Sequence, residues 1–574
     1  MEWKEQIYDY LKGLVSIPSV SNTREEGRVA EYIADCLAEQ AYFKEHPDQT
    51  GNWGTERTEI RGRGVAYGLV KGRGERTLIL TGHYDVVDTK EYGRFESWAY
   101  DMEAFMQADK GELKEFLSML PPEAREDFQS GEWIFGRGVN DMKGGLAVGM
   151  AVLDWYGKWM LRCPELPGNL LFAAVADEEA YSAGMREGAA FFQELRQRYG
   201  LSWECLIDLE PSTRQQGCQP VYIGSVGKLL PTILVQGRKA HVVDCFEGMS
   251  AIGVLGEYFR QTELAPEFSE SFGEEVCPPP TWLQFRDRKE SYDVSVPDRA
   301  AGYMSVLGFS KTAQSLMERL KEIGKSSFEQ YYARMKMQKR EIFPAMGGKP
   351  EKTGEYQVFS CEELEAVCRS KSKEAWEAQA ESGKQGNVRE NFETWYGNLC
   401  REAGEKIKEG IWNYPQATIE VMDALLTYSG ITSPAVVIAY APPYYPAYHS
   451  DRLKTYGENG SRFYEMLADA AGKAAGLKLE KRNYFCGISD LSYCGGAEKQ
   501  ELSAFAANAP MCRASYHMDE NTLNAFQVPS LLFGPYGRDF HQRSERVYAP
   551  SLFYEVPETL CKLIEQMFAI QQEL

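Results

Sequence analysis

Thr77-Leu78-Ile79-Leu80-Thr81-Gly82-His83-Tyr84-Asp85 is an apolar run that ends in an imidazole and a carboxylate. It reads as a buried strand. His83 and Asp85 alternate at its end, so Tyr84 points the other way if the chain stays extended. Asp85 can then accept the second ring N–H of His83 and hold it in one tautomer.

Four further segments repeat the theme: Gly136-Arg137-Gly138-Val139-Asn140-Asp141, Ala176-Asp177-Glu178-Glu179, Leu209-Glu210-Pro211-Ser212, and His541 in Phe540-His541-Gln542. Each offers imidazole or carboxylate after a strand-like run or in a glycine-rich turn, where a rigid sheet presents ligands from loops. Asp141 lies between such a turn and Lys143-Gly144-Gly145-Leu146-Ala147, which opens a helix, and a carboxylate there can bridge two cations. Glu178 and Glu179 leave the strand Leu170–Ala176 in different directions, so one can bind metal while the other takes a proton. Imidazole with carboxylate suits zinc or a similar first-row divalent ion. Taken singly, each segment has an ordinary explanation: a solvated acidic turn, a loop glutamate, a hydrogen-bonded histidine. Five together are harder to dismiss in a chain with only six histidines.

The order Gly-His-X-Asp, Gly-Arg-Gly-X-X-Asp-Met-Lys-Gly-Gly, Asp-Glu-Glu, Glu-Pro-Ser and a late histidine resembles the co-catalytic zinc metallopeptidases and amidohydrolases. These include aminoacylases, glutamate carboxypeptidases, succinyl-diaminopimelate desuccinylases and di- and tripeptidases. The layout is most similar to the arginine-utilisation branch typified by RocB. Its supports are Gly487-Ile488-Ser489-Asp490-Leu491-Ser492-Tyr493, the long segment before Asp141 and the large size. The resemblance covers about residues 1–325 and 430–574, with the middle stretch poorly matched.

The resemblance implies roles. Asp141 would bridge two divalent ions, zinc first, with cobalt or manganese as alternatives. Glu179 and His541 would complete one site, and His83 and Glu210 the other. Asp85 would orient His83, and Glu178 would be the general base. Asp208 alternates with Glu210 and stays open as a ligand, although Glu210 carries the Pro-Ser context. His241, in Gly237-Arg238-Lys239-Ala240-His241, would stabilise the oxyanion, commonly in the active site of a partner subunit. Ser489 and Asp490 would lie near the substrate.

Composition sets outer bounds. The 574 residues suffice for two or three domains, and 43% hydrophobic content fits a globular protein. A net charge of −21 argues against nucleic acid and anionic membrane as partners. Thirteen cysteines, with no Cys-X-X-Cys pair, argue against a secreted disulfide framework. Neither a signal peptide nor a run of about 18 apolar residues is present, so a cytoplasmic protein without a membrane span is expected.

Strands alternating with helices predict an α/β fold. The catalytic domain, a mixed sheet flanked by helices, is expected to be discontinuous, over 1–228 and 441–574. An α+β lid, 229–440, is inserted into it, with a helical insertion at 326–415. Helices are predicted at Trp3–Val15, at about Thr23–Gln40 behind a Ser21 or Asn22 cap, at Asp109–Gln129, at Met249–Gln261 and at Thr312–Ile323. Lid strands are predicted at Leu230–Gln236, Gly302–Leu307 and Val436–Tyr440, the last closing the lid sheet. His449 and His517 read as structural and His46 as exposed. The expected activity is hydrolysis of an amide or peptide bond in a small N-acyl amino acid or short peptide by a metal-bridging water. The RocB resemblance adds arginine or other amino-acid catabolism, and the lid adds a homodimer. The rival reading is a non-catalytic metal- or ligand-binding protein that docks partners through the helical insertion.

Overall fold

The computed structural model describes residues 3–57, 62–343, 355–382, 391–453 and 460–570. They form two compact units, Met1–Ser225 with Tyr448–Gly496 and Asn521–Leu574, and Val226–Ala447 with Ala497–Glu520.

The first unit is built on an eight-stranded sheet. In spatial order its strands are Thr50–Trp53, Val65–Val70, Pro167–Val175, Arg73–His83, Ser202–Asp208, Ser530–Leu532, Gln219–Tyr222 and Leu479–Arg482. Pro167–Val175, Arg73–His83, Ser202–Asp208 and Ser530–Leu532 run parallel. Leu78, Ile79 and Leu80 are fully buried, as a continuous apolar run in a sheet covered on both faces requires. On one face the core joins helices Trp3–Val15, Glu25–Ala38, Lys143–Arg162 and Val556–Met567. Elsewhere Phe191 and Phe192, on helix Ala183–Tyr199, pack on Tyr67, Trp203 and Phe526.

Helix Trp3–Val15 has the expected bounds. The next starts later, at Glu25, and neither Ser21 nor Asn22 caps it. The Ser21 hydroxyl is drawn instead to the buried carboxylate of Asp85, 2.7 Å away. The expected single helix Asp109–Gln129 is two, Lys110–Ser118 and Pro122–Ser130, because Pro121-Pro122 cannot continue a helix. Around them Tyr92, Phe95, Phe105, Phe116 and Phe135 make a small aromatic core. His46 is half-buried rather than exposed and lies 4.5 Å from the Tyr42 ring.

The second unit has a five-stranded sheet in the order Thr281–Asp287, Arg299–Gly308, Gly227–Gln236, Ala435–Tyr445, Gln357–Ser360. Ala435–Tyr445, expected to close this sheet, is internal, with Gln357–Ser360 beyond it in parallel. The helix expected to end at Ile323 runs on to Ile342. In the 326–415 stretch, helices Cys361–Ser382 and Phe392–Lys408 follow, while 344–354 and 383–390 lie outside the described residues. Residues 497–520, read from the sequence as catalytic domain, belong to this unit. Asn508 accepts the Tyr440 N–H (2.8 Å), Glu501 accepts that of Ala313 (2.6 Å) and the Tyr516 hydroxyl that of Tyr444 (3.0 Å).

Candidate metal centre

His83 is the last residue of a central strand whose parallel neighbours lead directly into Glu178-Glu179 and Glu210. Three chain ends that carry imidazole or carboxylate therefore meet at the carboxyl edge of the sheet, where open α/β sheets form their crevices. Asp141 enters from the start of helix Lys143–Arg162. A Cβ on Gly145 would lie 2.2 Å from the Leu209 carbonyl oxygen. Only glycine lets this helix start press on the chain that continues into Glu210. Buried Lys143 fixes the helix start, donating to the Leu14 and Ile17 carbonyls at 3.0 and 2.8 Å and capping helix Trp3–Val15. His541 sits between Gly537–Arg538 and Arg546–Tyr548, at a φ of +61°.

Two groups of donors result. His83 Nε2 lies 3.2 Å from Asp141 Oδ1 and 3.1 Å from Glu210 Oε1. His541 Nε2 lies 3.1 Å from Asp141 Oδ2 and 3.0 Å from Glu179 Oε1. Asp141 thus turns one oxygen to each histidine. Glu178 Oε2 is farther from His83, at 3.9 Å. Two donors sharing one tetrahedral ion with bonds of about 2.0–2.1 Å sit roughly 3.3 Å apart, close to these separations.

The electrostatics call for cations. Burial, then Glu210, Glu179 and Asp490, push the Glu178 carboxyl well above its ordinary range. Burial and Asp141 raise Glu179 to about 7. Burial and neighbouring acids also raise Glu210, Asp208 and, to about 7, Asp490. His541 is raised to about 10 by its hydrogen bonds to Asp141 and Glu179. Burial opposes charge on His83, yet Glu210, Asp141 and Asp85 raise its pKa. So many buried acids around two imidazoles match the donor set and charge demand of a pair of divalent ions. His83, Asp141 and Glu179, and likewise His83, Glu178 and Glu210, each offer ligand atoms within 4.8 Å of one another.

Asp85 is fully buried, and its carboxylate serves further partners besides His83. The His83 Nδ1 atom is 3.0 Å from the main-chain oxygen of Asp85 and 3.5 Å from its carboxylate. The carbonyl is therefore the nearer acceptor, and it fixes the ring with Nε2 facing Asp141 and Glu210. The carboxylate oxygens take the N–H groups of Glu178 and Glu179. Asp208, open as a ligand from sequence, has no hydrogen-bond partner on either oxygen and joins neither donor group among the described residues. Ser489 and Asp490 are 1% and 2% exposed, and Asp490 acts electrostatically on Glu178. His241 lies in the second unit, exposed, with Nδ1 accepting the Val243 N–H at 3.2 Å. His449 is buried, and its Nδ1 accepts the Asp451 N–H at 3.2 Å, a structural cap. Ser21 and Glu545, which support the site from behind, carry no motif that marks them.

Residues 79–524 match Peptidase family M20/M25/M40, and the chain belongs to that family of metallopeptidases and amidohydrolases, which cut peptide and amide bonds. It is 28% identical over 578 residues to the uncharacterized protein YqjN of Bacillus subtilis, covering 98% of this chain and 96% of YqjN. It is 25% identical over 575 residues to Protein RocB of the same organism, covering 96% and 93%. The likeness to RocB therefore runs through the middle stretch that looked poorly matched. A succinyl-diaminopimelate desuccinylase of Xylella fastidiosa is 29% identical over 241 residues, 41% of this chain and 51% of that one. Among the described residues no helix is long and apolar enough to cross a membrane.

Proposed function

We propose that this chain is a two-metal hydrolase that cuts the amide bond of a small N-acyl amino acid or short peptide. The observation that carries the reading is Asp141, whose two oxygens face two different histidines, each with its own glutamate. In the proposed roles His83, Glu210 and Asp141 hold one ion, and His541, Glu179 and Asp141 the other. Zinc suits this donor set best, with cobalt or manganese as substitutes. When bound, such a pair acidifies water and polarises a carbonyl.

The chain's own residues then have distinct tasks. Glu178 Oε2, at 3.9 Å, stands farther from His83 than Asp141 or Glu210 does, which supports a base that receives a proton from the attacking water and delivers it to the leaving nitrogen. Asp85 holds Glu178 and Glu179 by their amides. His241, whose Nδ1 accepts the Val243 N–H, leaves Nε2 as the ring nitrogen to donate to a developing oxyanion. A homodimer through the second unit, with His241 acting on the partner's substrate, belongs to the same proposal. None of the thirteen cysteines is in a disulfide, which supports a reducing compartment. The likeness to RocB and to a desuccinylase supports a place in amino-acid metabolism and an N-acyl amino acid as substrate.

The test is hydrolysis of a panel of N-acyl amino acids, including N-succinyl compounds, and of di- and tripeptides, with zinc, cobalt or manganese added to the apo-protein. Metal-dependent release of a free amine from one member is expected. No turnover on any member, in protein shown to carry two ions, would argue for the non-catalytic reading.

A further inference from the structure

We propose that Glu545 is a positioning residue that fixes Asp141 between the two histidines. This inference rests on the reading of Asp141 as the shared ligand.

Glu545 is fully buried and lies four residues after His541. Its Oε1 atom accepts three main-chain N–H groups from the Asp141 loop, those of Gly138 at 2.8 Å, Asn140 at 3.3 Å and Asp141 itself at 3.2 Å. Its Oε2 atom takes Arg137 Nη1 at 2.5 Å. Arg137 is 1% exposed and also reaches Glu91 and the Asp88 carbonyl. The main-chain oxygen of Glu545 accepts the Gly136 N–H at 3.3 Å. Among the described residues, the hydrogen bonds this carboxylate accepts all come from the 137–141 loop.

The turn that carries Glu545 is itself braced. The Asp539 carboxylate takes the Ser544 hydroxyl at 2.7 Å and Arg546 Nη1 at 2.5 Å, and Gln542 accepts the Glu545 N–H at 3.0 Å. One short turn thus presents His541 as a donor and grips the backbone of Asp141, the donor it faces. The charge on Glu545 matters as well as its shape. Arg137, shared with Glu91, pairs with it, so a buried guanidinium offsets the carboxylate that gathers the loop's amide dipoles. Partners of this kind behind a ligand typically control metal affinity by about 10–100-fold.

The test uses the full chain as wild type, Glu545→Ala and Glu545→Gln. Apo-proteins are titrated with Co²⁺ against a competing chelator, and the absorption spectrum of the bound ion and the thermal melting of the apo form are recorded. Glutamine keeps an oxygen for the three amides but loses the charge that pairs Arg137. The expected order of affinity is wild type, then Gln, then Ala, with Ala weaker by about 10–100-fold at both sites and its Co²⁺ spectrum altered. A role in folding alone would lower the melting temperature and leave the affinity and spectrum of the folded protein unchanged, and that result overturns the proposal. If Glu545→Ala does not fold, Glu545→Gln decides: wild-type affinity and spectrum overturn it, and weaker binding upholds it. Wild type that binds fewer than two ions instead defeats the underlying metal reading, an outcome read from the wild-type titration alone.

Discussion

The carboxylate of Asp85 accepts the main-chain N–H of Glu178 at 3.0 Å, although 93 positions separate the two residues. Its other oxygen takes the Glu179 N–H at 3.2 Å and the Ser21 hydroxyl at 2.7 Å. One side chain thus sets the turn that carries the proposed base and a proposed ligand, while its main-chain oxygen holds His83. Asp85→Ala removes the acceptor of two amides, at about 1–3 kcal/mol for each donor left unsatisfied. The variant is expected to bind metal roughly 10–100-fold more weakly. The His83 tautomer should persist, because its partner is a carbonyl that the substitution keeps. Chelator competition measures the first effect and nitrogen NMR of the histidine rings the second. A changed His83 tautomer would mean that the carboxylate, not the carbonyl, sets the ring.

Glu178 and Glu179 should respond differently to the same substitution. Glu178→Gln is expected to keep two ions and lose about 10²-fold or more in turnover. Glu179→Gln is expected to lose metal, because its oxygen is the one 3.0 Å from His541 Nε2. Metal content and turnover of both variants, measured side by side, settle the assignment. The reverse pattern exchanges the two roles.

Asp141→Ala should lower occupancy at both sites, since each of its oxygens serves a different histidine. Elemental analysis after dialysis reads this directly. Two ions retained per chain would end the bridging role.

His241→Ala should leave both ions in place and reduce kcat, with a smaller change in KM. Mixing it with Glu178→Gln chains tests whether His241 acts on a partner's substrate. Activity recovered in the mixture supports that arrangement. A wild-type protein that turns over fully as a monomer confines His241 to its own chain.

Stability at acid pH should depend on His449. Burial pushes its pKa down to about 4, with Arg452 and Lys481 adding to the effect and Asp451 opposing it. The cap it provides to the Asp451 N–H needs an unprotonated Nδ1. Between about pH 6.5 and 4 the unfolded chain binds this proton and the folded chain does not. The contribution is therefore whole above pH 6.5, falls as pH drops towards 4 and levels off below, amounting to at most about 3 kcal/mol. His449→Asn can keep the cap through its side-chain oxygen and should lose this part of the slope. Urea unfolding of both proteins at several pH values is the measurement, and identical slopes would remove His449 from the account.

The segments that offer imidazole and carboxylate were legible because each is local. An apolar strand ending in His83, a strand running into Glu178-Glu179 and a glycine pair opening the helix after Asp141 each write their geometry into neighbouring residues. Between Asp208 and Glu210 the sequence offered one signal, the Pro-Ser that follows Glu210. Both alternate at the end of one strand, and the structure adds that His83 lies 3.1 Å from Glu210. Where expectations slipped, a distant partner intervened. Ser21 left a cap for Asp85, Ala435–Tyr445 gained a parallel neighbour from beyond the long helix, and 497–520 joined the second unit through hydrogen bonds to Tyr440 and Ala313.

By itself, then, the sequence determined the α/β alternation, the chemical types of the donors and the family, because periodicity and motif spacing are properties of adjacent residues. The tertiary structure alone decided that Asp141 turns one oxygen to His83 and the other to His541, and that Asp85 and Glu545 hold the loops behind them. Those relations join residues brought together only when the sheet and its helices pack. A buried carboxylate takes whichever N–H groups the fold delivers to it, and no spacing along the chain records which those will be.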